Sequence, residues 1–250
     1  KFGVKVAHVE SGLRSFDNSM PEEINRKITD SLSDYLFVTE PSGVENLLNE
    51  GISKKKIFFV GNIMIDTLIK SKIKWQKSKV LKKLNLQKQK YAILTLHRPH
   101  NVDNIGNLKN LFQIFKELQE KIQTVFPVHP RTRKNIENAK IKTLSNILLT
   151  DPLGYIEFIA LLANAKFVLT DSGGIQEEAT FLKIPCLTLR KNTERPITVE
   201  KGTNTLCWTK PLILKKVNDI LNNKLVKTKK PQLWDGKTAE RIVEIIFNEL

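Results

Sequence analysis

The segment 170–179 (TDSGGIQEEA) combines residue types that bind anions with residue types that bind hydroxyl groups. It follows a short apolar run at 165–169 that reads as a strand, and Gly173 and Gly174 stand where a helix should begin. Free N–H groups at a helix start stabilise an anion, and glycine lets a ligand approach the backbone closely. Ser172 can cap this helix or donate its hydroxyl to a phosphate.

Two carboxylates, Glu177 and Glu178, follow within the first turns of the predicted helix. A carboxylate suits sugar hydroxyls better than phosphate, and such an acid accepts the ribose hydroxyls in dinucleotide folds. The pattern indicates a nucleoside diphosphate, with its phosphates on the amides and its ribose on Glu177 or Glu178. The alternative interpretation is a tight turn whose acids merely favour the helix dipole.

Polar loops follow two further predicted strands, those at 185–189 and 91–96. The segment 190–196 (RKNTERP) follows a strand, where ligands lie in open α/β sheets. Arg195 can pair there with a phosphate, or instead form a surface salt bridge with Glu194. The segment 95–101 (TLHRPHN) brings two histidines and an arginine. No third ligand follows at a fixed spacing, so proton transfer or phosphate contact is favoured over metal binding.

Three other short motifs carry less information when each is taken alone. In the segment 8–14 (HVESGLR), strand alternation predicts that His8 and Glu10 share one face. The segment 21–26 (PEEINR) has acids in a first helical turn, which is expected for any helix. The segment 127–131 (PVHPR) repeats the pattern of a strand followed by a basic loop.

Strand-like and helix-like runs alternate along the chain, which predicts an α/β fold with parallel sheets. The strand-like runs are 5–9, 35–38, 57–60, 91–96, 124–128, 146–149, 167–170 and 185–189. The helix-like runs are 21–34, 41–50, 104–119, 155–163, a run from 172, and 238–248. A lysine-rich stretch at 70–90 is interpreted as a solvated helix or linker between two Rossmann-like halves.

Composition is that of an ordinary globular protein, with 250 residues, 40% hydrophobic and 27% charged. The net charge is +15, but the lysines are scattered, so we expect no nucleic-acid groove. Cys186 and Cys207 form neither a CxxC pair nor a zinc spacing, and a reducing cytoplasm is expected. No apolar run reaches the length of a membrane span, and no membrane partner is expected.

Taken together and in this order, the motifs resemble those of the non-hydrolysing UDP-N-acetylglucosamine 2-epimerases. The resemblance covers nearly the whole chain. It rests on HVESGLR, MPEEINR at 20–26, GNIMIDTL at 61–68, HR at 97–98, TDSGGIQEEA and TERP at 193–196. Two positions depart from the family pattern: Ser11 replaces the usual alanine, and Leu153 stands where many members carry a glutamine that contacts uracil.

The resemblance implies a GT-B-like fold of two Rossmann-like halves with parallel sheets and the nucleotide in the cleft. The implied domains are a remainder of the N-terminal half at 1–70, a UDP-binding half at 71–232, and a helix at 233–250 packing back on the first half. The N-terminal half is expected to be incomplete, because the family's front section with an HGD-type aspartate is absent. We therefore expect little or no activity from the 250 residues alone.

The family interconverts UDP-GlcNAc and UDP-ManNAc by eliminating and re-adding UDP through a 2-acetamidoglucal intermediate. Carried over by motif, the catalytic set is Glu10, Glu22 and His97, and the resemblance does not decide which acid is the base. The implied UDP ligands are Ser172, Gly173, Gly174, Glu178, Arg195 and Phe158. Further candidates are Arg14, Arg98, His129 and Arg131. The resemblance implies no cofactor, no metal and a homodimer.

Two alternatives stay open at the level of sequence. One is a related enzyme, either an epimerase of a UDP-diacetamido-uronate or a hydrolysing 2-epimerase that releases ManNAc. The other is a non-catalytic UDP-binding fragment, which would bind UDP without turnover.

Overall fold

The computed structural model describes residues 3–142, 144–224 and 228–249, and the chain divides into two compact units. Unit 1 comprises Lys1–Lys70, Asn192–Gly202 and Lys229–Leu250. Unit 2 comprises Ser71–Lys191 and Thr203–Thr228. The predicted domain 71–232 therefore differs from unit 2, because residues 192–202 and 229–232 group with unit 1. The outermost residues of the predicted domains, 1 and 250, lie outside the described residues.

Strands alternate with helices along the chain, as the sequence pattern predicts. The strands are β1 (Ala7–Ser11), β2 (Tyr35–Val38), β3 (Ile57–Phe59), β4 (Tyr91–Thr95), β5 (Gln123–Pro127), β6 (Ile147–Thr150), β7 (Phe167–Thr170), β8 (Cys186–Thr188) and β9 (Asn204–Leu206). The described strands pair in parallel in two sheets, ordered β1-β2-β3 in unit 1 and β6-β5-β4-β7-β8-β9 in unit 2. The predicted α/β class with parallel sheets is confirmed.

The helices connect successive parallel strands, since parallel pairing requires a crossover rather than a hairpin. They are α1 (Pro21–Leu32), α2 (Pro41–Asn49), α3 (Ile63–Lys70), α4 (Lys72–Gln76), α5 (Val80–Lys83), α6 (Pro99–Val102), α7 (Ile105–Leu118), α8 (Pro130–Asn138), α9 (Tyr155–Ala163), α10 (Gly173–Leu182), α11 (Ile197–Glu200), α12 (Lys210–Leu221) and α13 (Thr238–Glu249). Several begin with proline, whose fixed φ suits the first helical turn. None of the helices in the described residues is long and apolar enough to cross a membrane.

The core of unit 1 lies on both faces of β2, which is buried at every position. Alternation sends Tyr35 and Phe37 to one face, where they pack with Val60 and with residues of α13, namely Ile242, Ile245 and Ile246. The other face of β2, formed by Leu36 and Val38, packs with Leu47. Helix α13 is thus part of the core of unit 1.

The order in which the chain adds strands to the sheet of unit 2 reverses at the centre of the sheet, beside β4. The chain builds β4, β5 and β6 outward on one side, and then returns to add β7, β8 and β9 beside β4 on the other. Every residue of β4 and β7 is buried, because both faces of these central strands are covered. In open α/β sheets, ligands bind outside the carboxyl ends of the strands at such a reversal. The loops that follow β4 and β7 are therefore the candidate ligand-binding loops of unit 2.

A segment between β8 and β9 belongs to unit 1 because its hydrogen bonds are made there. The side-chain amide Nδ2 of Asn192 donates to the carbonyl of Ser15 at 3.2 Å. The N–H of Ile197, at the start of α11, donates to Glu40 Oε1 at 3.4 Å. These long-range bonds position Arg195, which lies between the two anchored residues.

Candidate active site

The loops after β4 and β7 begin side by side in unit 2. Thr95 and Thr170, the last residues of the two strands, are paired in register, and their hydroxyl oxygens lie 2.7 Å apart. The loop after β4 then carries His97, and the loop after β7 carries Ser172. The structure therefore brings these two predicted site residues to one edge of the sheet, at the reversal of strand order.

Asp171 joins the two loops through its buried side chain. It is fully buried, and its carboxylate accepts hydrogen bonds from His97 N at 3.0 Å, Arg98 N at 3.1 Å and the Asn101 amide at 2.9 Å. Bonds to a charged acceptor are the strong class, so Asp171 fixes the backbone that carries His97. The side chain of His97 remains exposed. No role for Asp171 was predicted from the motif, although an acid directly after a buried strand is a signal for one.

Helix α10 begins at Gly173, and Ser172 is its N-cap residue with extended backbone. The Ser172 side chain makes no capping hydrogen bond to the helix, and its own N–H donates to Thr170 Oγ1 at 3.0 Å. Ser172, Gly173 and Gly174 are half-buried rather than enclosed. The amides of the first turn thus have the arrangement by which helix starts bind phosphate.

Glu178 lies on the same helix and is almost fully buried, with 4% of its surface exposed. Burial raises its pKa to about 7, against a smaller lowering by a hydrogen bond from the Tyr155 side chain. The pKa of Tyr155 is raised in turn, first by burial and then by the charge of Glu178. Phe158, one turn further along α9, is half-buried. Tyr155 is therefore a neighbour of the candidate residue Glu178 that the sequence pattern did not reveal.

Glu10 occupies an unusual backbone position in unit 1. The register of β1 on β2 pairs Val9 with Phe37 and Ser11 with Val38, which leaves Glu10 out as a bulge. Its φ is +68°, a left-handed value that is uncommon for a residue other than glycine. Such bulges and strained residues are over-represented next to active sites, because they re-aim a side chain. The burial pattern still alternates along β1, with His8 and Glu10 half-buried and Val9 exposed between them.

Arg195 lies against Glu10 within unit 1. Its Nη2 is 3.5 Å from Glu10 Oε2, and its Nη1 is 2.8 Å from Glu194 Oε1. Arg26 continues the series, 3.9 Å from Glu194 and 3.1 Å from Glu23. The alternative that Arg195 only forms a surface salt bridge with Glu194 is too simple, because both residues are buried and the arginine also contacts Glu10.

The two acids at the start of α1 have different surroundings. Glu23 is fully buried and accepts hydrogen bonds from Ser15 N at 2.9 Å, Ser15 Oγ at 3.0 Å and Phe16 N at 3.0 Å. Glu22, the predicted catalytic residue, is exposed. Glu23 therefore holds the loop before α1 in place, a role that the sequence did not reveal, while Glu22 has the accessibility that a catalytic group needs.

The Arg14 guanidinium is buried and paired with carboxylates of unit 1, so its role there is structural. It is buried, and its Nη2 lies 2.7 Å from Asp30 Oδ2 and 2.6 Å from Glu50 Oε2. Burial disfavours its charge, but these two carboxylates outweigh burial and the pKa of Arg14 is raised.

The remaining candidates in unit 2 make contacts within the fold. Arg98 Nε donates to the carbonyl of Asp171 at 3.2 Å. His129 is the N-cap residue of α8, and its Nδ1 accepts from Arg131 N at 3.3 Å. Arg131 also pairs with Asp103 at 2.5 Å. Within the described ranges, no group of three or more His, Cys, Asp or Glu side chains is arranged to hold a metal ion.

Comparison with known proteins gives consistent matches along the chain. A family model described as UDP-N-acetylglucosamine 2-epimerase matches residues 1–247. A UDP-N-acetylglucosamine 2-epimerase of Methanocaldococcus jannaschii is 47% identical over 255 residues, covering 98% of this chain and 69% of the relative. A UDP-2,3-diacetamido-2,3-dideoxy-D-glucuronate 2-epimerase of Pseudomonas aeruginosa is 38% identical over 251 residues, covering 98% of this chain and 69% of that protein.

A solved structure gives the same match at the level of the fold. It is the crystal structure of Methanocaldococcus jannaschii UDP-GlcNAc 2-epimerase in complex with UDP-GlcNAc and UDP. It superposes with a TM-score of 0.90 at 45% identity, covering 99% of this chain and 70% of that one. The predicted GT-B-like fold class is confirmed by this likeness.

Proposed function

Because the chain belongs to the UDP-N-acetylglucosamine 2-epimerase family, we propose that it interconverts UDP-GlcNAc and UDP-ManNAc. The observation that carries the proposal is in unit 2: a glycine-started helix and the His97 loop meet at the reversal of strand order, joined by Asp171. That edge offers the amides of the first turn of α10 and the exposed His97 to one ligand, and Glu178 lies further along the same helix. A uridine diphosphate sugar has an acceptor or donor for each.

In the proposed complex, the diphosphate lies on the first turn of α10, at Ser172, Gly173 and Gly174. The helix dipole and the free N–H groups favour an anion there. Glu178 accepts the ribose hydroxyls, for which a largely buried carboxylate held by Tyr155 is suited. Phe158 contacts the uracil ring, and Arg195 adds positive charge for the diphosphate.

The proposed chemistry starts from the hydrogen on sugar C2, which is poorly acidic. A carboxylate, Glu10 or Glu22, takes this proton while the C1–O bond breaks and the electron pair leaves with UDP. A C1–C2 double bond forms, giving 2-acetamidoglucal. UDP oxygen then attacks C1, and a proton is delivered to C2 on the opposite face. Amide dipoles and cations stabilise the departing diphosphate, and His97 stands at the diphosphate or assists proton transfer.

The bulge at Glu10 supports a catalytic role for that residue. A left-handed glutamate in a strand costs free energy, on the order of 1–3 kcal/mol, and persists where the surrounding structure enforces it. Arg195 beside it provides a charge partner, which fits a group that works as a carboxylate. The proposal requires no metal and no redox cofactor, since elimination and re-addition of UDP leave the oxidation state of the sugar unchanged overall.

The test is an assay of UDP-GlcNAc conversion by the chain and by a front-extended version of it. The expected product is UDP-ManNAc. No UDP-ManNAc from either version contradicts the proposal. Free ManNAc as the product would indicate the hydrolysing reaction instead.

A second candidate is epimerisation of a UDP-diacetamido-uronate. The observation in its favour is the 38% identity to the Pseudomonas aeruginosa enzyme. It ranks second because the identity to the Methanocaldococcus jannaschii enzyme is higher, at 47%. A uronate carries an additional carboxylate, so it needs a further cation at the sugar. Proton NMR of both substrates with the same preparation separates the two, because only the true substrate shows a change at C2.

We also propose that the protein is a cytoplasmic homodimer. Two cysteines, Cys186 and Cys207, are free and buried, which fits a reducing compartment. Light scattering of the purified protein tests the dimer directly, and a monomer mass would contradict it.

A further inference from the structure

The bulge that carries Glu10 is held from both sides by one buried side chain, that of Asp30. Asp30 lies in the last turn of α1 and is only 1% exposed. Its Oδ1 is 2.6 Å from His8 Nδ1, and its Oδ2 accepts from Gly12 N at 3.1 Å. His8 and Gly12 are two residues before and two residues after Glu10. A single carboxylate thus bonds the chain on each side of the left-handed residue.

The position of Asp30 is unfavourable for the helix itself. A negative charge near a helix carboxyl end opposes the helix dipole, and α1 has no basic residue in its last turn. Burial raises the pKa of Asp30, but hydrogen bonds from His8 and Arg14 outweigh burial and hold the pKa below its usual range. The residue is therefore a charged, buried acid whose favourable contacts all lie outside α1.

The need to pair the charge of Arg14 does not by itself explain why a buried carboxylate stands at position 30. Arg14 is also bonded by Glu50, at 2.7 Å to Nε and 2.6 Å to Nη2, so its charge has a bidentate partner already. The contacts that Glu50 does not make are those to His8 and Gly12, which flank Glu10.

Gly12 is fixed against a second element as well. Its φ is +76°, and a Cβ at this position would lie 2.3 Å from the carbonyl oxygen of Gly43 in α2. Its own carbonyl accepts from the Asn46 amide at 2.9 Å. Gly12 is thus held between α2 on one side and Asp30 on the other, and the bulge cannot relax without breaking one of these contacts.

We propose that Asp30 is a positioning residue for Glu10: by bonding His8 and Gly12 it holds the bulge that aims the Glu10 carboxylate. Asp30 acts through Glu10 and does not touch the substrate. This inference rests on the proposed function, because it assigns Asp30 its effect through the role of Glu10 in moving the C2 proton.

The test compares Asp30→Asn, Glu10→Gln and the double variant in the protein that turns over UDP-GlcNAc. Asn keeps the size of the side chain but replaces one acceptor oxygen with a donor. We expect Asp30→Asn to lower kcat at least about tenfold, with UDP affinity within about twofold of the unchanged protein. In the Glu10→Gln background, Asp30→Asn should lower kcat by less than about twofold, because residues acting through one group are not additive.

The matched control is Asp34→Asn, whose Oδ2 accepts from Val6 N at 2.9 Å near the start of β1, away from the bulge. The kcat of Asp34→Asn should stay within about twofold of that of the unchanged protein. A merely structural role for Asp30 predicts equal loss in both backgrounds, and that result overturns the inference. If Asp30→Asn does not fold, His8→Phe removes the ring contact alone and should lower kcat at least about threefold, and unchanged kcat overturns the inference.

Hydrogen–deuterium exchange keeps this test separate from the proposed function. Peptides covering residues 8–14 should exchange faster in Asp30→Asn than in the unchanged protein, whether or not either turns over substrate. If the unchanged protein makes no UDP-ManNAc, the proposed function fails, and the exchange result alone decides on the bulge. Unchanged exchange at 8–14 overturns the inference even where activity is present.

Discussion

The guanidinium of Arg195 lies between two carboxylates, 3.5 Å from Glu10 Oε2 and 2.8 Å from Glu194 Oε1. This relationship joins the bulge in β1 to the segment 192–202, two stretches that are far apart in sequence but belong to one compact unit. It places a positive charge beside the acid that we propose moves the C2 proton. Arg195 is therefore both a proposed diphosphate ligand and a neighbour of the proposed base.

Replacing Glu10 by glutamine should remove the proton acceptor while keeping the shape of the side chain. We expect kcat to fall by about 10²- to 10⁴-fold, the usual contribution of a general base, with UDP affinity nearly unchanged. The measurement is the rate of UDP-ManNAc formation by NMR, with calorimetry for UDP. Glu45→Gln, at an exposed position of α2, is the control. A kcat within about tenfold of the unchanged protein would assign the proton to another group.

Replacing Gly173 by valine should block the approach of the diphosphate to the first turn of α10. We expect the Kd for UDP to rise at least about tenfold, the equivalent of roughly 1.4 kcal/mol. The matched control is Gly106→Val, which also lies in the first turn of a helix, α7, where a Cβ meets only Asn104 Oδ1 at 3.2 Å. Equal UDP affinity in both variants would show that the nucleotide binds elsewhere.

The affinity for UDP-GlcNAc should depend on the ionisation of Glu178. Its pKa is raised to about 7, and only the carboxylate accepts hydrogen bonds from both ribose hydroxyls. Affinity should therefore rise by up to about tenfold between pH 6 and pH 8, as the ionised fraction grows. Calorimetry in the Glu10→Gln background avoids turnover. Glu178→Gln should bind weakly with a flat profile, and a flat profile in the unaltered Glu178 protein would remove this residue from the site.

Glu40 should make the protein less stable as the pH rises. It is 2% exposed, burial raises its pKa to about 7 from 4.5, and no hydrogen-bond partner of its Oε2 is present among the described residues. The folded state then holds a proton that the unfolded state has lost between these pH values, so the free energy of unfolding falls as pH rises through this window. Above about pH 7 the loss is complete.

Glu40→Gln removes this titration and gives the measurement. Its free energy of unfolding relative to the unaltered protein should increase between pH 4.5 and pH 8, by at most about 3 kcal/mol at roughly 1.4 kcal/mol per pH unit. Urea unfolding at several pH values determines the difference. A difference that does not change with pH would show that Glu40 ionises normally in the folded protein.

Asp171→Asn should loosen the His97 loop without removing any proposed ligand. Asn places a donor against backbone N–H groups that now meet a carboxylate, which should cost about 1–3 kcal/mol of stability and lower kcat. Asp151→Asn is the control, because its carboxylate is 93% exposed and pairs only at the surface with Arg133. Unchanged stability and turnover in Asp171→Asn would contradict the structural role given to this acid.

Some elements follow closely from local pattern. Strand β2 at Tyr35–Val38 and helix α9 at Tyr155–Ala163 have the predicted bounds, because each is a compact apolar run with clear flanking signals. Helix α8 at Pro130–Asn138 was not predicted, since its sequence PRTRKNIEN is polar with a single large apolar residue. Strand β9 at Asn204–Leu206 is too short for a periodic signal.

The parts of the site that were not predicted depend on contacts between distant residues. The bulge at Glu10 is invisible to a two-residue alternation, because the pattern cannot show an inserted residue. The contact of Arg195 with Glu10 spans 185 positions, and that of Asp171 with His97 spans 74. The glycine-started α10 was predicted because its signal is local, in the residues TDSGG themselves.

The most direct measurement is proton NMR of UDP-GlcNAc incubated in deuterated water with whichever version of the protein turns it over. We expect UDP-ManNAc that carries deuterium at C2, together with loss of the C2 proton signal, because the proton is taken by a carboxylate and replaced from solvent. Product that keeps its original C2 proton, or the absence of UDP-ManNAc, would rule out the proposed elimination and re-addition.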